Sequence, residues 1–334
     1  MGSISHSFSS YSKLQYMTVK SSTQTVHILG PGAMGLLWAS HLANDGWDVT
    51  LLLNRQSPKN IVSIHYQSTQ GKSEHTVKQQ SSATGVVNLE TLIITVKAYQ
   101  LCAAIKPLIP KINKNTLIIL TQNGIGSEAE LYQKFPEIRN NRVLQAVTSH
   151  GALKYQQNHV QQTGFGFCWI GNCPKFHHQQ LKAPKSNSLE ALLKLKMING
   201  WRDDIEELTW QKLIINASIN PLATILGCSN GELLSRSLLP LIKEIVIESS
   251  FIARQTGFIT FDSALILEKV KQVCRDTTTN KNSMLVDVIN HRPTEIGYIN
   301  QFLLNKANNL GIDAPWNLCL TSILNTINHV KMHE

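Results

Sequence analysis

The stretch Trp210-Gln211-Lys212-Leu213-Ile214-Ile215-Asn216-Ala217-Ser218-Ile219-Asn220-Pro221 sets Lys212, Asn216 and Asn220 four residues apart. On a helix that spacing draws one amine and two carboxamides into a single stripe, each step rising about 6 Å. Leu213, Ile214, Ile215, Ala217 and Ile219 lie between them, an apolar setting that a solvated face would not show. Leaving an ammonium buried and unpaired would cost on the order of several kcal/mol, so the three groups need polar partners. A bound polar substrate is one such partner. The other reading has the lysine reaching to solvent and the amides capping nearby backbone, and the segment alone leaves both open. Pro221 disfavours helical geometry at the residue before it, which predicts a helix end or kink at Asn220.

A second constellation lies near the N-terminus. Thr25 to Leu29 reads as a short strand, Gly30-Pro31-Gly32-Ala33-Met34-Gly35 follows, and Leu36 to Asn44 reads as a helix. Strand, G-x-G-x-x-G and helix is the order of a dinucleotide site. The first glycine makes the turn, the second admits the diphosphate close to backbone, and the third lets helix and strand pack. The unpaired amides of the helix N-terminus then face the phosphates. The next strand, Asp48 to Leu53, ends in Asn54-Arg55, and no acid occurs from Thr50 through Ser73. An acid at this place would hold the ribose 2′-hydroxyl of NAD, whereas a basic residue accommodates a 2′-phosphate. Arg55, with Asn54, therefore points to NADP.

The elements that must position these groups fall into two kinds. Ile61 to Gln79 is expected to form a hairpin or irregular strands. Glu90 to Val96 and Thr116 to Leu120 are apolar runs of the type buried in parallel sheets, and they end at Lys97 and at Gln122-Asn123-Gly124. Lys97 and Asn123 thus stand beyond carboxyl ends of strands, where open α/β sheets bind ligands. Val143 to Leu153 and Gly164 to Ile170 read as strands joined by a Gln-rich turn, and Cys173 to Ser188 reads as a surface loop. From there the pattern is helical: Leu189 to Met197, Ile205 to Leu226, Pro240 to Gln255, Ala264 to Val273, Glu295 to Leu310 and Trp316 to His329. The expected architecture is an α/β N-terminal Rossmann-type dinucleotide-binding domain over 25–202 and an all-α C-terminal domain over 203–332, after an extension, 1–24, expected to be disordered.

At 334 residues the chain is long enough for two cores. The net charge of +9 comes from scattered Lys and Arg with no interleaved aromatic ladder, so nucleic-acid binding is unsupported. A positive field of this size favours anionic ligands. No apolar run approaches the ~20 residues of a membrane span. The six cysteines form no C-x-x-C pair and read as free thiols of a reducing, cytoplasmic compartment. No metal site is expected, because His177-His178 has no third ligand in pattern. The Ser-rich stretch before Gln24 lacks the apolar core of a secretory signal and reads as an extension, or as the result of a start placed upstream of Met17.

With these residues in view the chain closely resembles the ketopantoate reductase (2-dehydropantoate 2-reductase) family. The resemblance covers nearly all of Val26 to Asn328. It rests on Gly30 to Gly35, Val96-Lys97-Ala98-Tyr99-Gln100, Gln122 to Gly126, Trp210 to Pro221, Cys228-Ser229-Asn230-Gly231-Glu232-Leu233, Ser283-Met284-Leu285-Val286-Asp287 and Arg292-Pro293-Thr294-Glu295-Ile296. It implies that Gly30, Pro31, Gly32, Ala33, Met34, Gly35, Arg55 (or Asn54), Lys97, Asn123 and Ala152 line an NADP site, touched by Glu295 from the helical half. It further implies that Lys212 donates a proton, that Asn216, Asn220, Asn230 and Ser283 hold a 2-oxo acid, and that Asn123 sits where nicotinamide meets substrate. The expected partner is that small molecule, acted on by a monomer or homodimer with no membrane or nucleic acid. The pattern departs at Gly297, where the family usually has an acid, at Gln301, often Gly, and at Arg55, displaced by one residue from the usual place. Those departures put substrate positioning in doubt more than the reaction, and they keep two alternatives in view: another branched 2-oxo acid as substrate, or an idle NADP-binding protein.

Overall fold

Strands that must be buried on both faces carry near-continuous apolar runs rather than alternation, and four strands here are of that kind, interrupted inside only by buried His27 and Thr50. In the computed structural model, which describes residues 23–56, 59–86, 88–173, 186–258 and 260–333, they are β1 (Thr25–Leu29), β2 (Asp48–Leu53), β5 (Thr91–Ile94) and β6 (Leu117–Leu120). Between β2 and β5 come β3 (Ile61–Ser68) and β4 (Gly71–Ser81), paired as an antiparallel hairpin. After β6 follow β7 (Arg142–Thr148), β8 (Gly151–Gln156), β9 (His159–Gly164), β10 (Cys168–Asn172) and the short β11 (Gly200–Trp201). All join one sheet of order β11-β10-β7-β6-β5-β1-β2-β4-β3-β9-β8. Its centre, from β7 to β4, is parallel. The chain winds outward from β1 through β2 on one side and from β5 through β6 on the other. The carboxyl ends of β1 and β5 therefore flank a switch point, the place where such sheets bind ligands.

The helix α1 (Ala33–Asn44) follows β1, and Leu36, Leu37, Trp38, Ala39 and Leu42 on it are all fully buried. A helix buried all round needs cover on every side. The sheet supplies it by curling. Only Ser149 and His150 separate β7 from β8, yet β8 and β9 lie at the far edge of the sheet, beside β3, and pack on α1. On the opposite face α2 (Leu101–Ile105) and α3 (Ser127–Lys134) close a second core around Leu92, Ile94, Ile118 and Leu120. This geometry corrects two expectations. Val143 to Leu153 is not one strand but two that diverge at Ser149-His150, and the Gln-rich stretch is a hairpin rather than a turn.

Past the sheet, α4 (Asn187–Leu192) is shorter than expected, its N-cap Ser186 accepting from the Leu189 amide. The surface loop expected over 173–188 falls mostly on 174–185, outside the described residues, as does the extension up to residue 22. The helices α5 (Ile205–Leu226), α6 (Leu239–Gln255), α7 (Ser263–Asp276), α8 (Ser283–Ile289), α9 (Asn300–Leu310) and α10 (Pro315–His333) build a separate core around Trp210, Ile214, Ile245, Val270 and Leu303. Here too there are corrections. The short α8 was not foreseen, and the helix expected from Glu295 opens as a 3-10 turn at Ile296–Tyr298 before α9 begins. No helix among the described residues is long and apolar enough to cross a membrane.

Of the helix end or kink expected at Asn220, the end is not found: α5 runs through Pro221 to Leu226 and stops at Gly227 in the left-handed region, φ 65°. Proline has no amide to give the carbonyl four residues back, which here belongs to Ala217. Fully buried Asn300 supplies the missing donor, its Nδ2 lying 3.1 Å from Ala217 O and 3.0 Å from Asn317 Oδ1. An unpaired buried carbonyl costs about 1–3 kcal/mol. Asn300→Ala should therefore lower the unfolding midpoint by several degrees, and much less so in a Pro221→Ala background, where the amide restored at position 221 can serve Ala217 itself. Equal costs in both backgrounds, measured by thermal denaturation, would show that Asn300 does not answer the proline.

Candidate active site

In the glycine loop a side chain is excluded at Gly30 and at Gly35. Gly30 has φ 98°, and a Cβ on it would come within 2.5 Å of Val96 Cγ1 at the end of β5. A Cβ on Gly35 would strike Gly30 O and lie 2.7 Å from Thr95 Oγ1, itself hydrogen-bonded to Gly30 O at 2.6 Å. Gly32, by contrast, is exposed and a Cβ there meets nothing, so space is left above the start of α1. No side chain caps that helix end and no acid lies in its first turn. The free amides and open space fit a diphosphate. Pro31, Ala33 and Met34 lie half-buried in the same loop, and Asn54 and Arg55 are exposed just past the end of β2.

The ends of β5 and β6 are tied together by Gln122, whose Nε2 donates to Ile94 O at 2.9 Å and Val96 O at 3.1 Å. This sets Lys97 and Asn123 side by side. The helical half meets them through Glu295 and Asp287, only 4% and 2% exposed. Glu295 Oε1 accepts from the Ala98 amide at 3.1 Å and Oε2 from Lys97 Nζ at 3.3 Å, with Asn123 Nδ2 at 3.5 Å. Asp287 accepts from Lys97 Nζ at 2.7 Å and, through its other oxygen, from Arg292 Nε at 3.1 Å. Backbone locks the same seam: the Ile125 amide donates to Tyr298 O at 3.0 Å, and Gly124 (φ 82°) has no room for a Cβ against that carbonyl.

From α5, Lys212 Nζ donates to Asn123 Oδ1 at 2.7 Å. The two lysines respond oppositely. Burial works against the charge of Lys97, but the carboxylates of Glu295 and Asp287 outweigh it and its pKa is raised. Lys212 keeps some accessible surface, yet desolvation still dominates, because its bonded partner is a neutral amide; the more distant Glu295 charge only partly offsets it, and the pKa falls to about 8.

Lys97, Asn123, Lys212 and Glu295 are thus brought together by direct contacts. Asn216, next along the stripe, is half-buried, and its side chain makes no hydrogen bond to another described residue. Asn220 is buried, and its backbone carbonyl accepts from Thr224 Oγ1 at 2.6 Å. Asn230 donates to Thr277 Oγ1 at 2.9 Å while its Oδ1 is buried without a partner. Ser283 is exposed at the start of α8, beside Asn282, which caps that helix and reaches toward Asn220 O at 3.5 Å. Ala152 is half-buried on β8. Of the departures, Gln301 turns along α9 to Asn305 at 2.8 Å and Gly297 is exposed with open space around it. Sequence reasoning quoted Asp287 and Arg292 without giving them a role. The signal available was a carboxylate in an otherwise apolar helix, Met284-Leu285-Val286-Asp287-Val288-Ile289, which has to find a cation when buried.

Sequence models of one family match the chain in two parts: Ketopantoate reductase PanE/ApbA over residues 26–175 and Ketopantoate reductase PanE/ApbA C terminal over 204–328. A 2-dehydropantoate 2-reductase of Vibrio cholerae is 32% identical over 302 residues, covering 90% of this chain and 96% of the relative. Among solved structures, a D-mandelate dehydrogenase in a ternary structure with NADH and anilino(oxo)acetate superposes with a TM-score of 0.80 at 22% identity, over 92% of this chain and 99% of that one. A PanE/ApbA family ketopantoate reductase from Ralstonia eutropha gives 0.78 at 20%, over 93% and 100%.

The lowered pKa of Lys212 has a measurable consequence. The folded chain releases this proton near pH 8 whereas an unfolded lysine holds it to about 10.5. The penalty for burying the charge is therefore fully present below pH 8 and is relieved as pH rises toward 10.5. The stability of the wild type relative to Lys212→Met should rise across that window in denaturant titrations. A flat difference from pH 7 to 10.5 would show that Lys212 is not perturbed.

Proposed function

The chain belongs to the ketopantoate reductase family, and on that premise we propose that it reduces 2-dehydropantoate to pantoate with NADPH, a step toward pantothenate and coenzyme A. The observation that carries this reading is the contact between Lys212 and Asn123 at the strand ends beside the glycine loop. A reduced nicotinamide bound there would supply the hydride. As negative charge grows on the ketone oxygen, the Lys212 ammonium stabilises it and gives up its proton. A pKa near 8 leaves the group mostly charged at neutral pH yet a stronger acid than an ordinary lysine. Asn123 holds the amine through its carbonyl oxygen, and Lys97, Ala98 and Glu295 in turn hold the strand end. Asn216, Asn220, Asn230 and Ser283 orient the substrate with neutral groups that do not compete for the proton. The unfilled hydrogen-bonding capacity of Asn216 and of Asn230 Oδ1 supports that role.

NADPH rather than NADH is supported by Arg55 at the exit of β2 and by the lack of any acid between Thr50 and Ser73. The alternative substrate, another branched 2-oxo acid, draws on Gly297, which removes a carboxylate usual in the family.

Lys212→Ala should lower kcat by ~10²–10⁴ with NADPH binding nearly intact; unchanged turnover in a folded variant would sink the lysine as proton donor. A site that hydrogen-bonds the terminal hydroxyl of ketopantoate rejects the same dimethyl 2-oxo acid without it by ~10⁴ in kcat/KM. Comparable values for the two compounds, read from NADPH oxidation, would favour the broader 2-oxo acid reductase.

A further inference from the structure

Lys154 sits on β8, the strand that curls back over α1, and its Nζ reaches the glycine loop to donate to Pro31 O at 2.9 Å. The pairing Ala152↔Gln162, Leu153↔Gln161, Lys154↔Val160 is regular, so Lys154 shares a strand face with Ala152. Arg55, at the exit of β2, is close enough for its charge to act on Lys154. That repulsion adds to desolvation, the larger cause, in lowering the lysine's pKa although the side chain is exposed. Neither cation forms an ion pair with any described residue. Two neighbouring positive charges, one of them resting on a neutral carbonyl of the phosphate loop, make a place where an anion would relieve both.

We propose that Lys154 is a specificity-determining residue: together with Arg55 it binds the 2′-phosphate of the cofactor, exchanging Pro31 O for a phosphate oxygen. The inference rests on the NADPH reading above and adds a second cation, from the edge strand β8, to the one at the end of β2. A dianionic phosphate accepts from both at once, whereas a ribose hydroxyl cannot satisfy either charge.

The test is calorimetric titration of the full chain with 2′,5′-ADP and with 5′-AMP, for the wild type, Lys154→Ala and Lys154→Arg. Lys154→Ala should weaken 2′,5′-ADP about tenfold or more and 5′-AMP less than about twofold, with Lys154→Arg recovering most of the loss. Equal weakening of both ligands would assign the charge to the shared 5′-phosphate and overturn the proposal, as would no change in either. A wild type that prefers 2′,5′-ADP while Lys154→Ala keeps the same preference defeats this inference alone. A wild type with no preference defeats it together with the NADPH reading.

Discussion

Asp287 and Glu295 are carboxylates almost wholly withdrawn from water, and neither can stay ionised there without partners. Lys97 stands between them, Arg292 backs the first, and the Ala98 amide and Asn123 complete the second. Removing Lys97, the cation the two share, would leave Glu295 buried without a positive partner, at a cost of about 3–5 kcal/mol. The requirement fixes where the strand ends meet the helices. It also separates the lysines by function: Lys97 touches carboxylates directly and is held charged, while Asn123 stands as a neutral spacer between Glu295 and Lys212. An acid in place of Asn123 would pair with Lys212 and raise its pKa. The amide fixes the amine without quenching its acidity.

What the sequence disclosed was local. The strand, the glycine loop and α1 are contiguous, so the turn at Gly30 and the close packing at Gly35 could be read in order. The Lys212 stripe was legible because helical periodicity alone sets it. What escaped depended on partners distant in the chain. Pro221 marks a helix break only if nothing repairs the carbonyl behind it, and the repair comes from Asn300. The break at Ser149-His150 was invisible because both flanks favour strands, and only the need to cover α1 sends β8 to the far edge. Asp287 acquires meaning only once Lys97, 190 positions away, is beside it.

The core of the helical half is likewise registered by polar contacts. Asn300 joins α9 to α5, and Asn317 on α10 joins Asn300 to Glu248 on α6, at 3.0 and 2.7 Å. Apolar side chains such as Ile214, Ile245 and Leu303 tolerate small slides past one another, whereas these directional bonds do not. Four helices are thereby held in one alignment, and with them the height at which Lys212 projects from α5.

Enclosure of α1 by the curled sheet bears on what ligand binding requires. The start of that helix is where an anion would dock, and loops that offer backbone amides to phosphates often lose mobility when they do. Here Leu36, Leu37, Trp38 and Leu42 are already immobilised by β8 and β9 on one side and the central strands on the other. The ordering entropy of the amides has been surrendered during folding, not at the moment of capture. Such preorganisation leaves more of each phosphate contact to appear as affinity.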